Sequence, residues 1–338
     1  MKKDFSYSDL PPSRPAVTLP LRGDYIPQYV PQFRIPGAHQ AFVSEEVQRL
    51  LAQGKIQRVC GMAQVGAWNS PLFVVEDAPG KLRCVQDFRA LNAQCDILQA
   101  PFPHLGDLLS VAALGHVFSA LDLLSGFHQL ALDLASRELT RFSTPSGEVY
   151  EWCVLPMGVA VAPVLFHVFL SDVLRDIEGV LVYIDDVIIV GKDQHHHDQL
   201  FALTMSRLSA AGLFLNPKKA QLSVSTVQYL GHTIAHQSIR PLPEFLQQLV
   251  EIPKPTTGRR LRSALGAINW VSKHIRNLRP QLQALYGASG KKGALVWSPE
   301  MESAWSAWMD VVHTWAPLGS HVQDGEPLAL HVDACVLQ

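Results

Sequence analysis

Val180-Leu181-Val182-Tyr183-Ile184-Asp185-Asp186-Val187-Ile188-Ile189-Val190 sets two adjacent carboxylates in the middle of an apolar run. Two β-branched halves flanking a polar centre read as strand, turn, strand, with the acids at the tip. A carboxylate in such surroundings must be neutralised, paired or metal-bound, and no Lys or Arg lies between Gly179 and Val190. Upstream, Val117-Phe118-Ser119-Ala120-Leu121-Asp122 reads as a second buried strand that also ends in an acid. Side chains alternate along a strand, so Asp122 plus one of the pair would form the main cluster and the other acid would support it. Oxygen-only ligands at strand ends suit Mg²⁺, and two such ions about 4 Å apart suit in-line phosphoryl transfer. The competing reading is a solvent-exposed Asp-Asp hairpin turn.

Around these strands the order of elements is mixed. Leu72 to Val75, Pro79-Gly80 and Leu82 to Val85 read as a hairpin. Ser44 followed by Glu45 and Glu46 predicts a helix start, closed by Gly54. Further helices are predicted over Phe102 to Ala113, Ala162 to Leu174 and His197 to Ala211, and from Pro243 through Leu265. The class is α+β, without regular βαβ alternation. Cys153 to Leu170 carries no formal charge but contains Pro156, Gly158, Pro163 and His167; it reads as a buried loop entering a helix, not a membrane span. His195-His196-His197, beside Asp193 and Asp198, reads as a polar loop capping the next helix, since adjacent histidines cannot all face one ion. Trp297, Trp305, Trp308 and Trp315 read as core of a last helix.

The chain has 338 residues, 48% of them hydrophobic and 17% charged, which excludes a largely disordered protein and leaves room for about two domains. Net charge is −2. That balance conceals a basic segment from Glu251 to Leu295: Lys254, Arg259, Arg260, Arg262, Lys273, Arg276, Arg279, Lys291 and Lys292 stand against one acid, Glu251. Such a segment on an acidic body suits either a polyanion or a solvated helix face. Five separated cysteines (Cys60, Cys84, Cys95, Cys153, Cys335) without a CxxC fit a reducing compartment. The first residues lack the apolar core of a signal peptide.

Several stretches, in order, resemble the boxes of reverse transcriptases. Trp68-Asn69-Ser70-Pro71-Leu72 resembles the opening of the fingers, and Arg83 with Gln86-Asp87-Phe88-Arg89-Ala90-Leu91-Asn92 resembles the R-x-x-x-D-F-R-x-L-N box. Phe118 to Gln129 resembles motif A. Leu155-Pro156-Met157-Gly158, with Ala162-Pro163 and Phe166, resembles motif B. Tyr183-Ile184-Asp185-Asp186 resembles the Y-x-D-D box, and Ala211-Gly212-Leu213 with Leu215-Asn216-Pro217-Lys218-Lys219 resembles motif D. Tyr229-Leu230-Gly231-His232 resembles the primer grip, and Leu261 to Gly266 with Asn269-Trp270 resembles the thumb. Met157 points to long-terminal-repeat retroelements of gypsy type before retroviruses. Leu328 to Ala334 resembles the first strand of a ribonuclease H or connection domain.

The resemblance implies a right-hand polymerase: a Pro-rich arm (1–37), fingers (38–90 and 128–155), palm (91–127 and 156–240), a basic helical thumb (241–302) and the truncated start of a further domain (303–338). It implies a polymerase that extends a DNA primer with dNTPs on RNA or DNA templates, using two Mg²⁺ ions or Mn²⁺ in their place. Asp122, Asp185 and Asp186 would bind the metals, and Lys219 would protonate the leaving pyrophosphate. Arg83, Phe127, Met157 and Gly158 would meet the nucleotide, with Phe127 excluding a ribose 2′-hydroxyl. Asp87, Arg89, Asn92, Tyr183, Leu230, Gly231, His232, Arg259, Arg260, Arg262, Lys273 and Arg276 would guide template and primer. A dimer or a longer polyprotein is left open. One departure matters: Glu76 stands where the family usually has a lysine for the γ-phosphate, and an acid there would repel the triphosphate, with Lys81 as a compensating charge. This motivates a rival reading, a catalytically impaired nucleic-acid-binding protein. A purely structural protein is a third, which the three ordered acids disfavour.

Overall fold

The computed structural model describes residues 16–60, 67–96, 98, 102–272, 280, 282–290 and 293–313. Lys273, Arg276, Arg279, Lys291, Lys292, Trp315 and the 328–334 stretch lie outside them. In chain order the elements are α1 (Gly37–Ala52), β1 (Ile56–Arg58), β2 (Leu72–Ala78), β3 (Lys81–Gln86), α2 (Arg89–Asn92), α3 (Leu105–Ala112), β4 (Val117–Asp122), α4 (Leu134–Leu139), β5 (Phe142–Ser143), β6 (Val149–Trp152) and α5 (Ala162–Val173). There follow β7 (Val180–Tyr183), β8 (Asp186–Gly191), α6 (Gln194–Ala210), β9 (Gln221–Val224), β10 (Thr226–Tyr229), β11 (His232–Ala235), β12 (Ser238–Pro241), α7 (Pro243–Val250), α8 (Gly258–Ser272), α9 (Gln283–Ala288) and α10 (Pro299–His313). The chain divides into two units, residues 1–104 with 119–223, and 105–118 with 224–338.

The first unit holds the sheet β7-β8-β4-β9. In β4 the four inner residues are all buried, so the strand is covered on both faces and shows no alternation. Its two ends are the places where a polar group can reach solvent. A core of Leu121, Phe166, Leu170, Val187, Ile189, Leu200 and Leu208 joins the sheet to α5 and α6. A second core joins Val43, Val47 and Leu50 of α1 to Ile56, Leu72, Phe142 and Tyr150. Here β6 lies between β1 and β5, and β2 pairs with β3 in a separate hairpin. From Val17 onward the Pro-rich segment is extended and stitched to this unit by Val30 N–H to Asn69 O (2.9 Å) and Leu19 N–H to Ser136 Oγ (2.7 Å).

The second unit joins the antiparallel meander β10-β11-β12 to helices. Leu249, Leu261, Leu265, Ile268, Leu285, Trp305 and Trp308 form one core across α7, α8, α9 and α10. The expected boundary at residue 302 therefore falls inside α10, whose tryptophans belong to the same helical core as α8.

Three helix starts differ from the sequence reading. α1 begins at Gly37, and Ser44 lies within it: Val43, Val47 and Leu50 share one buried stripe that reaches back past the serine. Its end is as expected, with Gly54 at φ 65° and the paired bonds Gly54 N–H to Leu51 O and Lys55 N–H to Leu50 O. α3 starts at Leu105, not Phe102, because Pro103 disfavours helical backbone at the residue before it. α6 starts at Gln194, capped by Asp193 Oδ1, which accepts the His196 N–H at 2.7 Å. The three histidines are thus in the first helical turn, not in a loop before it.

Candidate active site

β7 and β8 pair antiparallel, with Tyr183 opposite Asp186, so Ile184 and Asp185 form a two-residue turn. Ile184 sits at φ 58°. Asp122 ends β4, which lies directly beside β8, the strand that begins with Asp186. Its carboxylate is held from one loop: Asn216 Nδ2 donates to Oδ2 at 3.2 Å and Lys219 Nζ to Oδ1 at 3.3 Å. The Asn216 N–H also donates to the Asp122 carbonyl at 2.8 Å. Sequence reasoning gave Asn216 no role, since its partner is remote in the chain.

Burial pushes the Asp185 carboxyl above the usual carboxylate range, and the Asp122 charge adds to the push. Burial, then the charges of Asp185 and Asp122, push Asp186 up to about 6. These are three mutually repelling acids, with the Lys219 cation close to them. Among the described residues no group of three or more His, Cys, Asp or Glu side chains is arranged to hold a metal ion. The donor chemistry nevertheless fits a hard divalent cation. The donors are carboxylate oxygens only, their repulsion would be relieved by positive charge, and too few converge for an all-protein cage, as suits Mg²⁺.

A 3-10 turn, Gly126–Gln129, passes beside the acids, where a Cβ on Gly126 would lie 3.4 Å from the Asp185 Cβ. Phe127 follows and meets Phe166 edge-on at 5.6 Å. Gln129 is buried and locks the segment by donating to Leu124 O (2.7 Å) and accepting the Phe214 N–H (2.7 Å). On β3, Arg83 donates to Met157 Sδ at 3.6 Å, which brings two expected nucleotide residues together. Gly158 has φ 95°, and Asn92 fastens its loop through Gly158 O (2.9 Å) and the Ala160 N–H (2.8 Å). Both ends of the Asn92 amide thereby support the Met157–Gly158 loop. Asp87 and Arg89 form an exposed ion pair at 2.6 Å, and the Arg89 hydrogen bonds hold the Asp87 carboxyl below its ordinary value.

Glu76 does not share the Arg83 face of the hairpin. Val75 pairs with Arg83, whereas Glu76 pairs with Leu82 and so shares the opposite face of the hairpin. Its Oε1 accepts the Gly80 N–H at 2.6 Å, which caps the turn. Lys81 pairs with Asp77 at 3.3 Å, not with Glu76.

In the second unit Leu230 (φ 46°) and Gly231 (φ 76°) form the two-residue turn between β10 and β11. A Cβ on Gly231 would lie 2.9 Å from Trp270 Cζ2, so only glycine fits. His232 is fully buried, donates from Nδ1 to Leu230 O (2.8 Å) and stacks on Trp270 at 4.5 Å. Its side chain is a prop for the turn. Arg259, Arg260 and Arg262 lie on the exposed side of α8, opposite buried Leu261, Ala264 and Leu265. Lys254 is paired with Glu302. No described helix is long and apolar enough to cross a membrane.

Residues 75–234 match the family model described as "Reverse transcriptase (RNA-dependent DNA polymerase)". The Pol polyprotein of transposon gypsy from Drosophila melanogaster is 32% identical over 86% of this chain and 29% of its own length. That of transposon 297, from the same organism, is 31% identical over 74% of this chain and 24% of its own. The Pro-Pol polyprotein of Simian foamy virus type 3 (strain LK3) is 30% identical over 80% of this chain and 23% of its own. The chain thus spans about a quarter of the length of these relatives. Among solved structures, a foamy viral protease-reverse transcriptase in complex with double-stranded DNA superposes with a TM-score of 0.78 at 24% identity, over 91% of this chain and 54% of that one. That likeness establishes a polymerase fold, and together with the sequence relatives it places the chain in the reverse transcriptase family of retroelement and foamy viral Pol polyproteins.

Proposed function

We propose that this chain is the polymerase part of a retroelement Pol protein, extending a DNA primer with dNTPs on RNA or DNA templates. The observation that carries the reading is the grouping of Asp122 at the end of β4, Lys219 and Asn216 on its carboxylate, and Asp185 and Asp186 at the β7–β8 turn. Asp122, Asp185 and Asp186 would hold two Mg²⁺ ions, which supply Lewis-acid stabilisation of charge on the transferring phosphoryl group. Lys219 carries a proton within reach of the acid cluster and is suited to deliver it to a departing pyrophosphate. Arg83, which extends beside Met157, offers a guanidinium for phosphate oxygens. Phe127, braced by Phe166, presents a ring where a sugar edge would pass. The arginines on the outer side of α8 suit phosphate contacts that position a duplex without reading its sequence. Relatives solved with double-stranded DNA and with an RNA/DNA hybrid support those partners for this chain.

The binding-only alternative drew its motive from Glu76. With Glu76 turned to the opposite face from Arg83, that motive is weakened. Primer extension on an RNA template with dNTPs and Mg²⁺ or Mn²⁺ separates the readings. Templated incorporation supports the polymerase, whereas a folded protein that binds primer–template and adds no nucleotide supports the alternative.

A further inference from the structure

Ile184 carries the strained backbone of the acid-bearing turn. Its φ of 58° is a left-handed value that a β-branched side chain rarely adopts. Asp185 comes next, so the conformation at Ile184 sets where that carboxylate points. α5 meets the turn through His167, whose Nδ1 accepts the Ile184 N–H at 3.3 Å. The imidazole is 4% exposed. Phe102 stacks on it at 4.6 Å with the rings 21° apart, and the same phenyl ring leans on Tyr183 at 6.3 Å. The preceding helical residue, Phe166, braces Phe127. Consecutive positions of α5 therefore support the turn and the aromatic residue beside it.

An imidazole nitrogen accepts a hydrogen bond only when it bears no proton, so this contact needs the neutral ring with its hydrogen on Nε2. Burial lowers the His167 pKa and favours that neutral form. We propose that His167 is a positioning residue that holds the Tyr183–Asp186 turn in its left-handed form through the Ile184 N–H and so aims Asp185; its effect on rate rests on the polymerase reading above.

Two substitutions separate the acceptor from the ring. His167→Asn keeps an acceptor on the atom next to Cγ, as Nδ1 is, and loses the stacked ring. His167→Phe keeps an aromatic ring under Phe102 and loses the acceptor. The readouts are exchange of the Ile184 amide hydrogen, followed by NMR, and kcat with dNTP KM for primer extension. The Phe variant is expected to exchange that amide about tenfold faster and to lose about tenfold in kcat, the equivalent of one hydrogen bond, with KM little changed. The Asn variant is expected to stay within about threefold of the parent on both counts. Adding Ile184→Gly to the Phe variant should recover most of the rate, because glycine takes a left-handed backbone without a clamp. A Phe variant indistinguishable from the parent, or Asn and Phe variants impaired alike, would overturn the proposal. If no protein extends a primer, the polymerase reading fails, while the amide exchange still decides the clamp.

Discussion

Lys219 Nζ stands 3.3 Å from Asp122 Oδ1, and this contact joins the loop after α6 to the end of β4, an inner strand of the four-stranded sheet. The same loop supplies Asn216 to the other oxygen at 3.2 Å. One acid of the cluster is thus fixed by two neighbours from a segment far away in sequence, whereas the other two ride on a tight turn. Lys219 is 68% exposed, so its tie to Asp122 contributes little to stability and is better placed for chemistry.

Lys219→Gln should therefore leave the melting temperature nearly unchanged and lower kcat for nucleotide addition by about a hundredfold, the scale of a lost general acid. Asn216→Ala should lower kcat by about tenfold, the scale of one lost hydrogen bond to a carboxylate. Steady-state extension beside thermal melts checks both. A large drop in melting temperature for Lys219→Gln with an unchanged rate would assign the lysine to structure.

Asp186 offers a test by pH. Its carboxyl titrates near 3.8 when unfolded and near 6 when folded. Between these values the folded chain holds a proton that the unfolded chain has lost, so this group's contribution to stability falls as pH rises through the window and stays low above it. In chelator, Asp186→Asn should be more stable than the parent at pH 8 by about 1 kcal/mol, after allowance for partial solvent screening, and equal to it near pH 4. Mg²⁺ at pH 8 should raise the parent's melting temperature and leave the variant's nearly unchanged. Calorimetry at the two pH values, with and without the cation, decides this.

The hairpin register makes a prediction against the simple charge argument. Because Glu76 faces away from Arg83 and caps Gly80, Glu76→Lys should change the dNTP KM by no more than about twofold and lose about 0.5–1 kcal/mol of stability with the turn bond. A tenfold fall in KM would place residue 76 at the triphosphate and contradict the register.

Phe127→Ala should admit ribonucleotides. The parent is expected to discriminate against them, and the variant to lose on the order of tenfold or more of that discrimination, with dNTP incorporation less affected. Competition between dGTP and GTP on one template measures the ratio. Unchanged selectivity would remove Phe127 from the nucleotide site.

Much of the first unit was legible in the sequence. The apolar run ending at Asp122 is β4 to the residue, and the Tyr183–Asp186 stretch is the turn that its flanking β-branched residues require. These features are local, since strand burial and a two-residue turn are written in neighbouring side chains. What escaped reading depends on contacts across the chain. Asn216 and Asp122 are 94 positions apart, and nothing near Asn216 announces its partner. Asn92 belongs to a box that looks like a nucleic-acid contact, yet its amide is used on the 158–160 loop. Helix starts slipped for a different reason. Ser44 looks like a cap, but the buried stripe from Val43 to Leu50 outweighs it and draws the helix back to Gly37. Glu76 and Arg83 lie seven residues apart, and in the regular register before the bulge an odd spacing puts them on opposite faces, which only the strand pairing reveals.

The most direct measurement is single-turnover extension of a DNA primer on an RNA template with Mg²⁺, run on the parent and on the Asp185→Asn/Asp186→Asn double variant, with primer–template affinity taken on the same samples. Templated addition by the parent is expected, with loss of at least about a thousandfold in rate for the variant and comparable affinity for both. Equal extension by the two proteins, or none by a parent that is folded and binds primer–template, would contradict the polymerase reading.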